Sequence, residues 1–292
     1  MKIARKNFIE SILCCAPAMI LVSLMIYIPF LLSGYYSLTK WDGIARVPVY
    51  IGLDNFRTIF TGGSDFLAAL IFTGRYTLFF MIFANIFALA IAMILVQKFK
   101  FANMLRGAFF IPYILSMIIV GFIWRFIFSQ GFDRLFEITG LAFFNYSWLG
   151  TVNLAFFSVV IVGVWQSLGF YIVLYIAGLK AIPADVLEAA TVDGAVGWTR
   201  LIKVTIPLLW PSVITCMFMS LTNSLKVFDI ILALTRGGPG GATNSAAMNI
   251  YREAFQNNNY GLGSAKALVY FVIVLLLTQI VLSLLRRRQF EY

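Results

Sequence analysis

Long apolar stretches alternate with short polar segments along the whole chain. A helix that crosses a bilayer needs about 20 mostly apolar residues, and six stretches of this sequence are long enough. The pattern therefore predicts an all-α, polytopic membrane protein with six transmembrane helices that form one domain over residues 1–292. The predicted spans are Ile12–Leu38, Ala68–Val96, Leu105–Phe128, Leu154–Leu179, Leu209–Leu234 and Ala267–Leu285.

The distribution of Lys and Arg predicts the orientation of the spans, because cytoplasmic loops carry an excess of positive charge. With the N-terminus inside, each of four inward segments holds three basic residues, whereas the longer outward loops hold fewer per residue. An even number of spans then places both termini in the cytoplasm. The inward groups are Lys2, Arg5 and Lys6; Lys98, Lys100 and Arg106; Lys180, Arg200 and Lys203; and Arg286, Arg287 and Arg288.

Composition excludes several classes of protein. Hydrophobic residues make up 61% of the chain and charged residues 12%, which is about half the charge of an ordinary soluble domain. The basic ends of the spans explain the net charge of +10, so we expect no nucleic-acid partner. The chain has no His, and its three Cys lie in apolar stretches, which excludes His-based catalysis and predicts no metal site.

The longest inward loop, residues 180–211, has the pattern of a helix, a turn and a second short helix. Pro183 suits the first turn of a helix, and Gly194 is a natural helix end because glycine tolerates the left-handed conformation. The second helix is predicted over Val196–Val204, and Pro207 and Pro211 stand where the next span is expected to begin. From these residues alone, the loop is either a docking element or an amphipathic connector that rests on the membrane.

Three short motifs in this loop resemble the EAA loop of permeases from binding-protein-dependent ABC importers. They are Glu188-Ala189-Ala190, Asp193-Gly194-Ala195 and Val204-Thr205-Ile206-Pro207. Outside the loop, segments similar to the sugar-transport branch of this family occur in order along nearly the whole chain. They are Lys40-Trp41-Asp42-Gly43, Gly52-Leu53-Asp54-Asn55-Phe56, Ile111-Pro112, Trp124-Arg125-Phe126, Phe228-Asp229 and Thr235-Arg236-Gly237-Gly238-Pro239.

The resemblance implies a transport subunit of a bacterial inner membrane, with residues 180–211 as its coupling loop. Glu188 would pair with a basic group in a cleft of a dimeric cytoplasmic ATPase, and the small residues beside it would permit close approach. The other implied partners are a second, homologous permease chain and an extracytoplasmic solute-binding protein. ATP and Mg would be bound by the ATPase, so this chain would hold no cofactor. The coupling residues are Glu188, Ala189, Ala190, Asp193, Gly194 and Pro207.

Polar side chains inside spans are candidates for the path of the cargo, because burying them in a membrane is costly. Amide, hydroxyl and aromatic groups are also the groups that bind sugars. Single Ser, Thr and Asn residues have the alternative role of joining helices, and Lys226 and Asp229, three positions apart, are expected to form a structural ion pair. The candidates are Trp165, Gln166, Tyr171, Tyr175, Asn223, Ser224, Lys226 and Asp229.

The sequence is compatible with three functions. The first is the permease of a sugar or oligosaccharide importer, whose outward loops Thr39–Leu67 and Thr235–Leu262 would meet the binding protein. The second is the same type of importer with an acidic or phosphorylated cargo, such as an oligo-uronide or a glycerol phosphate. The third is an integral-membrane lipid enzyme, which the scattered acidic residues disfavour. Gly237–Gly241 lacks the Lys and Ser/Thr of a phosphate-binding loop, so this chain is not expected to hydrolyse ATP itself. No catalytic residue is predicted.

Overall fold

The computed structural model describes residue 12 and residues 15–61, 65–97 and 99–287, with side chains as far as residue 286. Several predictions fall on residues outside this part of the chain. They concern the basic residues Lys2, Arg5, Lys6, Lys98 and Arg288.

The described chain contains twelve α-helices, a short 3-10 helix (Ala142–Asn145), a π-helical segment (Arg252–Gln256) that continues the eleventh α-helix, and one pair of two-residue strands. The strands, β1 (Thr39–Lys40) and β2 (Val49–Tyr50), are antiparallel, with Thr39 opposite Tyr50 and Lys40 opposite Val49. The helices are α1 (Cys15–Ser37), α2 (Asp54–Phe60), α3 (Phe66–Leu95), α4 (Ala102–Ile114), α5 (Met117–Thr139), α6 (Val152–Ala181), α7 (Ala184–Val192), α8 (Gly197–Leu208), α9 (Trp210–Leu225), α10 (Asp229–Leu234), α11 (Ala246–Tyr251) and α12 (Tyr260–Arg287).

The helical architecture agrees with the predicted span count. Four helices, α1, α3, α6 and α12, are long and apolar enough to cross a membrane, and there are six spans if each of two bent helix pairs counts as one. The pairs are α4 with α5, which meet at 97°, and α8 with α9, which meet at 72°. The last helix begins at Tyr260, seven residues before the predicted start of the sixth span at Ala267.

The third and fifth predicted spans are not continuous helices, and those two predictions are wrong in this respect. In the third, Leu115 and Ser116 have extended ψ angles of 143° and 131°, three residues after Pro112, which itself lies inside α4. In the fifth, the helix ends at Leu225 and a new helix begins at Asp229. Both breaks place backbone carbonyls without helical partners inside an apolar stretch.

The described residues fall into two compact units: those up to Asp65 together with Ile250–Val272, and those of Phe66–Asn249 together with the described residues from Ile273 onwards. In the first unit, the side chain of Asn55 donates to the carbonyls of Ser37 and Thr39, at 2.8 Å each. Lys266, 1% exposed, forms an ion pair of 2.6 Å with Glu253. The Asn55 contacts fix α2 to the end of α1 and to β1, and the ion pair fixes α12 to the segment that follows α11.

A tight turn follows β1 in the first unit. The Oδ1 atom of Asp42 accepts hydrogen bonds from the backbone N–H groups of Ala45, at 2.8 Å, and Ile44, at 3.0 Å. These two donors hold the pKa of the Asp42 carboxyl below its ordinary value, because they stabilise the ionised form. Beyond the turn, Ile44 and Val47 are 83% and 74% exposed.

The second unit is built around α6, which packs against α3, α4 and α9. A buried polar network joins three of these helices. Asn85 of α3 accepts a hydrogen bond from the Tyr175 hydroxyl of α6 at 2.8 Å, and its Nδ2 donates to the Ser220 hydroxyl of α9 at 3.0 Å. Glycines allow α6 to approach its neighbours closely: a methyl group at Gly169 would overlap the carbonyl oxygen of Phe109 in α4.

Candidate functional site

The loop between α6 and α9 has the helix–turn–helix form that its sequence predicts. Pro183 precedes α7 with an extended ψ of 135°, and Gly194 follows the helix with φ +80°. The N–H of Ala195 donates to the Ala190 carbonyl at 2.8 Å, which is the long bond of a Schellman helix end. A Cβ at this position would have open space, since nothing lies within 4 Å of it. The requirement for Gly194 is therefore its left-handed backbone conformation and not a lack of room.

The coupling residues are distributed unevenly over the surface of this loop. Glu188, Ala189, Asp193 and Gly194 are exposed. Ala190 is buried, on the helix that packs against residues 201–205 of α8. Within the described ranges, Glu188 forms no ion pair. Its carboxylate is thus available to a partner outside this chain.

Pro207 does not have the predicted position at the start of the next span. It lies in Ile206–Leu208, the last turn of α8, before the 72° bend at Leu209. Pro211, the second proline predicted there, does occupy the first turn of α9. Both prolines suit a helix start, and the bend at Leu209 is what separates Pro207 from the next helix.

A polar cavity of about 270 Å³ lies where the two broken spans meet α3 and α6. Polar groups come from α6 and from the end of α9, and aromatic rings come from α3, α4 and the α9–α10 break. The residues that line this polar cavity are Tyr76, Phe80, Tyr113, Met117, Gln166, Ser167, Asn223, Ser224, Lys226, Val227, Phe228, Asp229 and Ile230.

Gln166 lines the polar cavity, but its amide nitrogen is already engaged. Its Nε2 lies 3.3 Å from the Tyr113 carbonyl and 3.4 Å from the Leu115 carbonyl. These carbonyls lie at the α4–α5 break, where no helical N–H is available to them. Gln166 therefore stabilises the break, and its carbonyl oxygen is the group left to contact a ligand.

Lys226 and Asp229 stand at the α9–α10 break, and both side chains are exposed. The expected structural ion pair between them is wrong, since among the described residues no ion pair joins the two. Lys226 ends α9 and Asp229 begins α10, and this change of helix direction separates side chains that one continuous helix would bring together. The polar cavity thus carries one positive and one negative side chain.

Three of the predicted cargo residues do not line the polar cavity. Trp165 faces an apolar groove formed with Phe83 and Phe87. Tyr171 is fully buried, and its hydroxyl accepts a hydrogen bond of 3.4 Å from Asn223. Tyr175 belongs to the buried network with Asn85. These contacts give both tyrosines a helix-packing role.

Aromatic lining residues from other helices were missed at the sequence level. Tyr76 and Phe80 come from α3 and Tyr113 from α4. Aromatic residues are frequent throughout these apolar stretches, so the sequence holds no signal that separates them from lipid-facing neighbours. Pro112 is the one nearby signal, because it predicts a helix interruption.

Known proteins match the chain along most of its length. Residues 74–290 match the family described as binding-protein-dependent transport system inner membrane component. The chain is 37% identical, over 98% of its length and 97% of the relative's, to a probable starch degradation products transport system permease protein of Thermoanaerobacterium thermosulfurigenes. It is 33% identical, over 94% of its length and 92% of the relative's, to the trehalose/maltose transport system permease protein of Thermococcus litoralis.

A solved structure has a similar fold. It is a chain of a bacterial ABC transporter involved in the import of the acidic polysaccharide alginate. The TM-score is 0.81 and the identity 20%, over 98% of this chain and 97% of that one.

Proposed function

This chain belongs to the family of binding-protein-dependent transport system inner membrane components, and on that premise we propose that a sugar or an oligosaccharide passes through its polar cavity. As a member of this family, the chain is a multi-pass permease subunit of an importer in the inner membrane, and not an enzyme. The observation that carries the proposed cargo is the polar cavity itself, where amide and hydroxyl groups face aromatic rings.

The chemistry of the polar cavity suits a sugar ring. Asn223 offers both a donor and an acceptor, and Ser224 a hydroxyl, which match the mixed donors and acceptors of sugar hydroxyls. Tyr76, Phe80 and Phe228 provide aromatic surface for the C–H face of a ring. A few placed polar groups within apolar walls are typical of small-molecule sites. The matched starch-product and trehalose/maltose permeases are consistent with this class of cargo.

The charge of the polar cavity favours a neutral sugar over an acidic cargo. Lys226 and Asp229 both line it, and their formal charges cancel. An acidic cargo, such as an oligo-uronide or a glycerol phosphate, would meet the Asp229 carboxylate as well as the Lys226 ammonium, so the polar cavity offers it no net positive charge. We therefore place the acidic cargo second.

Transport in this proposal is driven by a separate ATPase dimer that holds ATP and Mg. The exposed Glu188 and Ala189 of α7 would enter a cleft of the ATPase, and Gly194 would hold the helix end that presents them. A second, homologous permease chain would complete the pathway. The exposed Ile44 and Val47 support docking of the binding protein on the loop Thr39–Leu67, and we assign the loop Thr235–Leu262 to the same partner.

Asn223→Ala tests the polar cavity as the path of the cargo. Loss of one hydrogen bond to cargo should raise the KM for uptake about 10-fold, while the ATPase still co-purifies. The control is Thr222→Ala, because the Thr222 hydroxyl bonds only to carbonyls of its own helix. An unchanged KM, or loss of ATPase assembly, would show instead that Asn223 only joins helices through Tyr171.

Lys226→Gln separates neutral from acidic cargo. For a neutral sugar we expect a change in KM of about twofold or less, since Lys226 then supplies one hydrogen bond among several. For an acidic cargo the variant would lose a charged contact, and uptake should fall about 10-fold or more. The measurement is uptake of radiolabelled maltose, maltotriose, an alginate oligomer and glycerol 3-phosphate. A strong loss for the two acidic compounds, with poor uptake of the sugars, would reverse the order of the candidates.

A further inference from the structure

A second cavity, which shares no lining residue with the polar cavity, lies where the end of α3, the start of α4 and the end of α6 meet. Its volume is about 450 Å³. Three of its eight lining residues are cationic and none is acidic. We call it the basic cavity, and it is lined by Val96, Gln97, Phe99, Lys100, Ala102, Asn103, Arg106 and Lys180.

Arg106 is held in place at the basic cavity by the protein. Its Nη2 donates to the carbonyl of Leu95, at the end of α3, and its Nη1 donates to the Asn103 side chain at 2.9 Å. Its Nε is buried and has no hydrogen-bond partner in the described part of the chain. The guanidinium is thus fixed, and its positive charge is not cancelled by a carboxylate.

The two lysines of the basic cavity are exposed and come from different segments of the chain. Lys100 precedes α4, and Lys180 lies in the last turn of α6. Neither forms an ion pair within residues 65–97 and 99–287. Three cations around one cavity repel each other, so an anion bound there would lower the electrostatic energy of the folded chain.

Topology and helix dipoles explain why basic residues occur here, but not why they surround a cavity. Loops on the cytoplasmic side carry Lys and Arg, and cations are favourable near helix C-termini. Either effect would operate equally well if the basic side chains extended separately into water. The basic cavity instead gathers the three cations around one space, beside the apolar side chains of Val96, Phe99 and Ala102.

We propose that the basic cavity binds the phosphate headgroup of an anionic phospholipid from the cytoplasmic leaflet. The Lys/Arg bias assigns this end of the helices to the cytoplasm, where a headgroup lies level with the helix ends. Basic pockets between membrane helices on this side are suited to anionic lipid headgroups. The phosphate contacts the three cations, and the glycerol and first acyl carbons lie along Val96 and Phe99. This inference depends on the membrane orientation and not on the cargo.

The test is lipid retention by the full-length chain in detergent, measured by native mass spectrometry. Phosphatidylglycerol and phosphatidylcholine are titrated in parallel, with glycerol 3-phosphate as a soluble competitor. The double variant Lys100→Gln/Lys180→Gln should weaken phosphatidylglycerol binding about 30-fold, at about a factor of five for each basic residue. Lys100→Arg/Lys180→Arg should restore it. The control, Lys203→Gln/Arg286→Gln, removes two cytoplasmic charges away from the basic cavity and should leave lipid binding unchanged.

Several outcomes would overturn the proposal. Equal retention of phosphatidylglycerol by the wild type and the Gln double variant would show that the basic cavity does not bind this lipid. Equal weakening of lipid binding by the control pair would show that general surface charge, and not the basic cavity, retains the lipid. Displacement of the lipid by millimolar glycerol 3-phosphate would assign the site to a free phosphate compound. Loss of ATPase co-purification in the Gln double variant, with lipid binding intact, would show that this surface contacts a protein and not a lipid. Cargo uptake is not a readout, so a failed cargo assignment and a failed lipid site remain distinguishable.

Discussion

Replacing Glu188 with alanine is expected to abolish uptake and to release the ATPase from the permease, while the chain still inserts in the membrane. The carboxylate is exposed on α7 and has no ion-pair partner among the described residues, so its loss should cost the folded chain little. In the assembled importer, a basic group of the ATPase would be left buried and unpaired. Such a loss typically costs about 3–5 kcal/mol, which is more than 100-fold in affinity.

Asp185→Ala provides the matched control for this experiment. Asp185 lies one helical turn before Glu188, in the first turn of α7, and is also exposed. Its removal deletes the same charge from the same helix but lies outside the coupling motif. Co-purification of the ATPase and uptake are measured for both variants. Wild-type behaviour of Glu188→Ala, or equal loss in both variants, would reject the specific role of Glu188.

Gly169→Ala is expected to destabilise the chain strongly, although it adds only one methyl group. The new Cβ would overlap the Phe109 carbonyl oxygen and lie 2.6 Å from the Phe110 Cα atom. Both are backbone atoms of α4, so no side-chain rotation relieves the clash, and α4 must move away from α6. We expect the free energy of unfolding in detergent to fall by about 3 kcal/mol, the upper range for overpacked cores.

Gly74→Ala serves as the control for the packing experiment. Gly74 lies inside the long helix α3, and nothing stands within 4 Å of a Cβ at that position. Alanine is the better helix former by about 1 kcal/mol, so this variant should be neutral or slightly more stable. Thermal unfolding of both variants checks the pair. Equal stability of the two would mean that α4 does not need its close approach to α6.

The all-helical, multi-span architecture and the family membership could both be predicted from the sequence, and both are confirmed. Span location follows from hydropathy because a bilayer imposes a minimum apolar length on each crossing. The breaks after Ile114 and Leu225 could not be located in this way, because hydropathy continues through them unchanged. Tertiary contacts support the first break: Gln166, which lies 51 residues after Leu115, contacts the carbonyls that this break leaves free.

The candidate site was predictable only in part, for a related reason. Asn223, Ser224, Lys226 and Asp229 stand out because polar residues are rare in spans, and the structure brings them together around the polar cavity. Tyr175 has the same chemistry, yet its hydroxyl is bonded to Asn85. Residue type indicates that a buried polar group needs a partner, but whether that partner is a cargo or another helix depends on packing. The roles of the coupling residues stay predictions until the Glu188 experiment is done.

The buried network of Asn85, Tyr175 and Ser220 has a mechanical consequence for the transport cycle. It ties α3, α6 and α9 together by hydrogen bonds in an apolar surrounding, where a broken bond finds no water to replace it. These three helices should therefore rotate as one rigid body between the two access states. The hinges then fall at the interrupted segments around Leu115 and Val227, which already lack helical hydrogen bonds and can change their dihedral angles at the lowest cost.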